Sequence, residues 1–347
     1  MKDIGVNIVN WNGKQYIEDC LDSVLGLNQV RPEQVIIVDN GSTDGSREFL
    51  ERKFPGIKLI KNDRNTGFCH AHNQGILQSA ARHVLLLNFD VVLTAGFLEQ
   101  MINSIESDPR VGMVSGKLLK QVAGRPSELI DSTGIEMPYY FMRPRGENER
   151  DNGGYDAPEQ RDIFGPCGAA PLYRREMLED IKCRGEYFDE DYFNYVEDVD
   201  LAWRAQLRGW KGRYNPQAVA YHERGATRKG NPRITDDYYV RGLRNRYFSM
   251  IKNMTREEWK KYWKRIIGVE MVFIWGDFQF IRPRLKAFLL AWKGSLPMRE
   301  KRKLIQPRRT VPVDYLDNFF KYQEMRVPAL IRAKYFSPKR KAAEEKT

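Results

Sequence analysis

The stretch His83-Val84-Leu85-Leu86-Leu87-Asn88-Phe89-Asp90 combines a continuous apolar run with a polar, acidic end. A short apolar run bounded by polar residues predicts a buried strand, here over residues 83–88. The run Gln34–Val38 has the same character and stops at Asp39. Each stretch therefore predicts a strand with a carboxylate just beyond its end.

The surrounding sequence alternates such strands with amphipathic segments. Strands are expected at residues 4–9, 34–38, 57–61 and 83–88, and helices at 15–25, 44–54 and near 72–81. This alternation indicates parallel βαβ units and an α/β fold. Because ligands bind beyond the carboxyl ends of the strands in such sheets, Asp39 and Asp90 are predicted to lie in a binding site.

Composition and length predict the size of the fold and the cellular compartment. A chain of 347 residues, 41% of them hydrophobic, can form one large domain and an appendage. Its four cysteines lack metal-ligand spacing, which predicts free thiols in a reducing compartment. A strand begins almost at the N-terminus and no apolar run is long enough to span a bilayer, so neither a signal peptide nor a spanning helix is expected. A cytoplasmic protein is predicted. The polar stretch 142–161 is predicted to be a mobile loop.

Charge divides the chain into two parts. Residues 241–347 contain 27 Lys and Arg against 10 Asp and Glu, whereas residues 1–240 contain 30 against 36. Together with the turn residues Gly230-Asn231-Pro232, this predicts a catalytic domain over 1–235 and a basic, aromatic-rich helical region over 236–347. The basic region suggests an anionic partner, either nucleic acid or lipid.

The segment Ile266–Ile281 is apolar apart from Glu270 and Asp277, which are seven residues apart and share one helical face. Basic and aromatic residues flank it. This pattern is typical of a helix that lies in the interface of an anionic membrane. The alternative is a helical subdomain that packs on the globule or on a second subunit.

Three strand ends carry candidate binding residues, each with a structural alternative. Asp39 is placed to accept an N–H of a nucleotide base, although Asp-Asn-Gly-Ser is also suited to a turn or helix cap. Asp90, with Asn88 before it, is placed to hold a divalent cation that bridges two phosphates. His222 follows the predicted strand 218–221 and is a candidate for the same metal or the diphosphate. A lone histidine is, however, more often structural.

The run from Tyr195 to Leu201 is rich in acids at a predicted helix start. Glu197, Asp198 and Asp200 fall within four consecutive positions. One of these carboxylates can act as a general base while its neighbours bind a hydroxyl group. The alternative is a helix N-terminus that simply carries acidic residues.

Together these motifs resemble the GT-A-fold glycosyltransferases of family 2, in particular their bacterial rhamnosyltransferase-like branch. The similarity extends over about residues 4–228, with the motifs in order and at the usual spacings. The residues that carry it are Val9–Asn12, Val38–Ser46, Asn65–Phe68, Asn73–Gly75, Leu85–Asp90, Gly168–Ala170, Arg174–Arg175, Phe188–Glu190, Glu197–Leu201 and Gly209–Trp210.

The resemblance implies a mostly parallel central sheet flanked by helices and an inverting, metal-dependent transfer of a sugar from a nucleotide diphosphate to a hydroxyl group. It implies that Asp198 is the general base, that Glu197 helps to bind or orient the acceptor, and that Asp90 and His222 bind Mg²⁺ or Mn²⁺. Asn88 departs from the DxD pattern at its first position, which makes metal dependence less secure. The expected nucleotide-sugar-binding residues are Asn10, Asp39, Asn65, Gly67, Asn73, Asn88, Gly168 and Ala169.

The implied donor is linked to dTDP or UDP, with rhamnose from a dTDP donor as the specific hypothesis. The implied acceptor is a glycan or lipid-linked glycan of bacterial cell-surface polysaccharide synthesis. A peripheral position on the inner face of the cell membrane and a homo-oligomer are consistent with this hypothesis. A nucleic-acid-binding protein is the first alternative, although no nucleic-acid module is recognised and no nucleic acid is expected as a partner. A nucleotidyltransferase is the second, but it leaves Glu197 and Asp198 unexplained.

Overall fold

A computed structural model describes residues 3–122, 124–137, 142–223, 232–276 and 281–320. The strands are β1 (Ile4–Asn10), β2 (Val35–Asn40), β3 (Lys58–Asn62), β4 (His83–Asn88), β5 (Val91–Leu93), β6 (Val111–Val122), β7 (Arg125–Ser132), β8 (Ile135–Glu136), β9 (Arg143–Pro144), β10 (Asp162–Ile163), β11 (Leu172–Arg174) and β12 (Lys211–His222). The helices are α1 (Ile17–Asp22), α2 (Ser46–Lys53), α3 (Phe68–Leu77), α4 (Phe97–Glu106), α5 (Arg175–Ile181), α6 (Glu197–Leu207), α7 (Pro232–Asn253), α8 (Arg256–Gly276), α9 (Ile281–Lys293), α10 (Ser295–Ile305) and α11 (Asp317–Phe320).

The central sheet has the strand order β10-β12-β6-β11-β4-β1-β2-β3, with β5 paired to β12 and β7 to β6. Strand β1 runs parallel to both β2 and β4, and β6 runs parallel to β12, while β11 is antiparallel to its two neighbours. The register pairs Asn10 with Asp39 and Val9 with Asn88. The α/β prediction is confirmed, and the ends of β1, β2 and β4 lie side by side.

The leucine run of β4 has a clear structural reason. Val84 and Leu86 belong to the core on one face of the sheet, whereas Leu85 and Leu87 belong to the core on the other. Successive side chains of a strand point to opposite faces, so a strand covered by helices on both sides is apolar throughout.

The C-terminal helices share a core with the first part of the chain. Trp203 of α6 lies in one apolar cluster with Phe248 of α7, Tyr262 of α8 and Met298 of α10. Glu270 of α8 forms ion pairs with Arg246 of α7 and Arg284 of α9. Within Ile266–Ile281, Ile266 and Glu270 therefore pack on the globule, whereas Ile267 and Met271 are exposed, and Asp277 lies outside the described residues. None of the helices that the structure describes is long and apolar enough to span a membrane.

Stretch 142–161 differs from the mobile loop that its composition predicts. Lys117 is buried on β6 and forms ion pairs with Asp151 and Asp156. The Arg145 guanidinium lies over the rings of Tyr155 and Tyr214. These long-range contacts, which composition does not reveal, fix the stretch against the sheet.

Two other expectations can be compared with the structure. All four cysteines are free thiols, as predicted, and Cys20, Cys69 and Cys183 are buried. The predicted boundary at Gly230-Asn231-Pro232 falls largely outside the described residues, since α7 begins at Pro232. The division into 1–235 and 236–347 stays a prediction.

Candidate active site

The ends of β1 and β2 form a buried polar pair. The Asn10 amide donates to Asp39 Oδ2 at 2.8 Å and to the Ser42 and Ser46 hydroxyl groups. The other oxygen, Asp39 Oδ1, accepts the Ser42 N–H at 3.1 Å and the Arg47 Nε at 2.5 Å. The Asp39 side chain is completely enclosed. A base that contacts this carboxylate must therefore displace one of its present partners.

The turn before α3 is fastened to β2. Asn65 Oδ1 accepts from Asn40 Nδ2 at 3.1 Å and from the Gly67 N–H at 2.9 Å. Gly67 has φ +90°, and a Cβ atom there would lie 2.6 Å from the Phe193 carbonyl oxygen. Glycine is thus required by both conformation and space. Asn65 and Gly67 lie beside the Asp39 strand and next to the segment that precedes Glu197.

Asn73 has a different environment from the other predicted donor-binding residues. Its Nδ2 donates to the Phe188 carbonyl at 2.8 Å and to Glu190 Oε1 at 3.0 Å, and its Oδ1 accepts the Phe188 N–H. Both N–H groups of the buried amide are used. Asn73 therefore ties α3 to residues 188–190.

Asp90 and His222 are brought together by strand pairing. His222 is opposite Val91 in the β12–β5 ladder, and the Glu223 N–H donates to the Asp90 carbonyl. His222 Nε2 lies 3.4 Å from Asp90 Oδ1, and His222 Nδ1 lies 2.9 Å from Asp131 Oδ2. Burial alone would lower the pKa of His222, but hydrogen bonds with Asp131 and Asp90 raise this pKa to about 9.

This arrangement suits a divalent cation. Histidine ligands of metals usually donate their second ring N–H to a carboxylate, which orients the ring, and Asp131 is in that position. Asp90 Oδ1 and His222 Nε2 face each other, and a cation bound between them would displace the proton that Nε2 carries at neutral pH. No group of three or more metal-ligating side chains occurs among residues the structure describes. Phosphate oxygens and water commonly supply the remaining ligands of Mg²⁺.

Asp198 lies in the first turn of α6, where the helix dipole favours negative charge. Its Oδ2 accepts the Gly168 N–H at 2.9 Å. The carbonyl of Ala169, the residue after Gly168, accepts the Asn88 N–H at 2.9 Å. Residues 168–169 therefore join the start of α6 to the end of β4, and Asp198 is brought close to the strand that leads to Asp90.

Glu197 differs from its neighbour although both are carboxylic acids. It is buried, and its Oε2 has no hydrogen-bond partner within the described part of the chain. Burial, and then the nearby Asp198 charge, raise the pKa of Glu197 well above its usual range. Glu197 therefore holds its proton more tightly than an ordinary glutamic acid does.

The segment before Glu197 has an unusual backbone. Phe193, Tyr195 and Val196 have φ values of 64°, 70° and 70°. Left-handed backbone at residues other than glycine costs on the order of 1–3 kcal/mol each and persists only where the surrounding structure enforces it. Such strain often marks functional sites, and here it lies directly before the two acids.

Sequence reasoning did not identify two residues of this region. Asp131, the penultimate residue of β7, reaches His222 across β6, and Arg47 of α2 forms an ion pair with Asp39. Asp131-Ser132-Thr133-Gly134 has the sequence of a turn and carries no local sign of its partner. Arg47 is one charged residue among several on α2.

Three comparisons with known proteins bear on this site. A rhamnosyltransferase of Mycobacterium tuberculosis, "N-acetylglucosaminyl-diphospho-decaprenol L-rhamnosyltransferase", is 26% identical over 246 residues, which cover 65% of this chain and 77% of that protein. "Poly-beta-1,6-N-acetyl-D-glucosamine synthase" of Staphylococcus aureus is 27% identical over 213 residues, and these cover 61% of this chain but only 47% of that protein. The crystal structure of GalNAc-T7 with UDP, GalNAc and Mn²⁺ superposes with a TM-score of 0.63 at 13% identity, over 96% of this chain and 58% of that one.

The structural similarity supports the GT-A-like fold. The family described as "Glycosyl transferase family 2" matches residues 6–182, which include the ends of β1, β2 and β4. The chain is a glycosyltransferase and belongs to family 2.

Proposed function

We propose that this protein catalyses an inverting glycosyl transfer in which Asp198 is the general base. The observation that carries the proposal is the bond from the Gly168 N–H to Asp198 Oδ2, together with the bond between Asn88 and Ala169. These bonds place the carboxylate beside the strand end that bears Asp90. A base on one side and a diphosphate-binding acid on the other are what a direct displacement needs.

In this reaction the acceptor oxygen forms a bond to the anomeric carbon of the donor while the bond from that carbon to the diphosphate breaks. Asp198 accepts the proton of the acceptor hydroxyl, and the nucleoside diphosphate leaves. Asp90 and His222 are the residues that would hold Mg²⁺ or Mn²⁺. A cation bound there would offset the negative charge of the leaving diphosphate.

For the substrates, we propose a deoxysugar donor such as dTDP-rhamnose, with UDP-linked sugars as the competing class. Similarity to the mycobacterial rhamnosyltransferase supports this choice, and the name of that relative also suggests a lipid-linked diphosphate sugar as acceptor. Similarity to the staphylococcal synthase supports a role in polysaccharide synthesis. Turnover of a panel of nucleotide sugars, with and without Mg²⁺ or Mn²⁺, tests donor and metal together.

The base is tested with Asp198→Asn. The variant should lose about 10³–10⁴-fold in kcat, because an amide accepts no proton, while donor binding measured by calorimetry stays unchanged. The matched control is Asp22→Asn, an exposed aspartate on α1, which should keep wild-type kcat. Turnover by Asp198→Asn within about tenfold of wild type would remove Asp198 from this role.

Exposed apolar residues on α8 and α9 are the feature that favours a membrane as a partner, and with it a lipid-linked acceptor. On α8 the exposed apolar residues recur every four positions, and on α9 they follow helical spacing on one stripe. They are Trp259, Trp263, Ile267 and Met271 on α8, and Leu285, Phe288, Leu289 and Trp292 on α9. Exposed Lys260, Lys264 and Lys286 lie among them. Apolar stripes with interspersed cations fit the headgroup region of an anionic bilayer on the inner face of the membrane.

Vesicle binding tests this surface. The wild-type protein should sediment with vesicles of phosphatidylglycerol and not with phosphatidylcholine, and salt should weaken the binding. Phe288→Ser with Trp292→Ser should lose about tenfold or more of this binding, whereas Leu77→Ser, at an equally exposed leucine on α3, should not. A double variant that binds vesicles normally but changes from dimer to monomer would show that a second copy covers the surface instead.

A further inference from the structure

Helix α7 contributes to the candidate site from outside the part of the chain that carries the family motifs. We propose that Asn245 on α7 is a positioning residue for glycosyl transfer, because it holds the backbone of residues 192–195 in the shape that presents Asp198. This inference rests on the proposed role of Asp198. The hydrogen bonds of the Asn245 amide go to Arg244 and to the backbone of residues 192–195. Any effect on Asp198 is therefore transmitted through residues 192–196.

The Asn245 side chain is completely buried and faces three backbone carbonyl groups. Its Nδ2 donates to the carbonyl oxygens of Tyr192 at 3.0 Å, Asn194 at 2.9 Å and Tyr195 at 2.7 Å. An amide nitrogen has two hydrogens, so one of them is shared between two acceptors. The Asn245 side chain thus binds three of the four carbonyl groups of residues 192–195.

The orientation of this amide is set by its other end. Asn245 Oδ1 accepts from Arg244 Nε at 2.9 Å and from Arg244 Nη2 at 2.7 Å. A guanidinium group only donates, so the amide oxygen must face Arg244 and the nitrogen must face the carbonyls. Arg244 Nη2 also donates to the Asp191 carbonyl at 2.9 Å.

The same segment is held on its opposite side by the donor-binding half. The Phe193 carbonyl accepts the Cys69 N–H at 3.1 Å and lies against Gly67. Arg241 of α7 donates to Asn194 Oδ1 at 2.6 Å and lies over the Phe193 ring. Residues 192–195 are therefore clamped between the start of α3 and α7, directly before Glu197 and Asp198.

Loss of the Asn245 donors would remove a buried hydrogen bond from the Tyr192, Asn194 and Tyr195 carbonyls, although the Tyr192 carbonyl still accepts from the Asn194 N–H and from Arg244 Nη2. Left-handed backbone at Tyr195 and Val196 persists only where its surroundings enforce it, so these residues would relax toward ordinary conformations. Because Val196 directly precedes α6, such a change would move the first turn of the helix and the Asp198 carboxylate with it. A displacement of about 1 Å of a catalytic group can reduce the rate on the order of 10²-fold.

The test uses Asn245→Asp, which keeps the oxygen that faces Arg244 and replaces the donating nitrogen with an acceptor. Its kcat should fall about 10²-fold while KM for the nucleotide sugar changes less than about twofold, since the donor-binding strand ends are untouched. The matched control is Asn28→Asp. Asn28 is equally buried and donates to the Ser23 and Thr94 carbonyls while it accepts the Leu98 N–H. The control should lose similar stability and keep kcat within about threefold.

A second measurement is independent of turnover. Amide hydrogen exchange at residues 193–199 should accelerate at least about tenfold in the milder variant Asn245→Ser and stay unchanged in Asn28→Ser. Unchanged exchange, or a kcat for Asn245→Asp within about threefold of wild type, would overturn the inference. If wild-type protein transfers no sugar from the panel, the proposed function fails, and the exchange experiment alone then decides whether Asn245 holds this segment.

Discussion

The donor-binding half and the base-bearing half of the site are built in different ways. Asn10, Asp39 and Asn88 lie at the ends of adjacent parallel strands, and the ladders of β1 with β2 and β4 fix their spacing. Asp198 lies on α6, which packs on α7 of the C-terminal region as well as on α5 and β12. Sheet register positions the first half, and packing between distant segments positions the second.

Buried charges connect that second half to the C-terminal helices. Lys252 of α7 forms ion pairs with Asp189 and, at 2.9 Å, with Asp200 of α6, and Lys301 of α10 also reaches Asp189. Burial alone would raise the pKa of Asp200, but Lys252 and Arg204 hold it well below its usual range. The basic C-terminal region therefore has a structural task at the base-bearing helix, in addition to any role at a membrane.

The largest effect on stability is expected when the ion pairs of Lys252 with Asp189 and Asp200 are removed. Lys252→Met should lower the free energy of unfolding by about 3–5 kcal/mol, because Asp189 and Asp200 lose a buried cation. The Lys252 side chain is fully buried, whereas that of Lys303 on α10 is 69% exposed, so Lys303→Met is the matched control and should unfold like wild type. Denaturant unfolding of both variants measures the difference. Equal unfolding curves for the two would mean that the buried network does not stabilise the base-bearing half.

The two halves also differ in how far the sequence predicts them. The sequences of residues 34–40 and 83–90 each predict a strand that ends at an acidic residue. This prediction is possible because apolar runs and turn residues are local signals. The predicted strand over 83–88 agrees with β4, and that at 34–38 lies within one or two residues of β2. Parallel pairing of these strands with β1 is then enough to bring their ends to the same edge of the sheet.

The base-bearing half has no comparable local signal. Glu197, Asp198 and Asp200 stand in one acidic run. Asp200, however, is buried with Lys252, Glu197 is buried with a raised pKa, and Asp198 accepts from the Gly168 N–H. The Gly168 and Lys252 partners of Asp198 and Asp200 lie 30 or more positions away in the chain. The family resemblance singled out Asp198, but spacing alone could not separate the three acids.

A smaller effect is expected on the donor side, at the contact between Asp131 and His222. Asp131→Asn keeps an acceptor for the His222 ring but removes the charge, which should weaken Mn²⁺ binding about 10–100-fold in the presence of a nucleoside diphosphate. Calorimetric titration of Mn²⁺ measures this change directly. Asp162→Asn, at an exposed partner of Arg213, is the control and should bind Mn²⁺ like wild type. Unaltered affinity in Asp131→Asn would separate His222 from the metal.

The smallest change, about 1.4 kcal/mol for each pH unit, is expected at Glu197, where it sharpens the contrast between adjacent acids. Because the pKa of Glu197 is raised in the folded protein, the folded state holds more of this proton than the unfolded state does between about pH 4.5 and the raised pKa. Its contribution to stability therefore falls by about 1.4 kcal/mol per pH unit as pH rises toward that raised pKa. Glu197→Gln removes this loss, so its Tm should match wild type near about pH 4 and exceed it by a growing margin as pH rises from there to the raised pKa, with kcat within about tenfold of wild type. Exposed Glu48→Gln should show no such divergence. Parallel Tm curves for Glu197→Gln and wild type would mean that Glu197 is ionised beside Asp198, and the base would then share its site with a second negative charge.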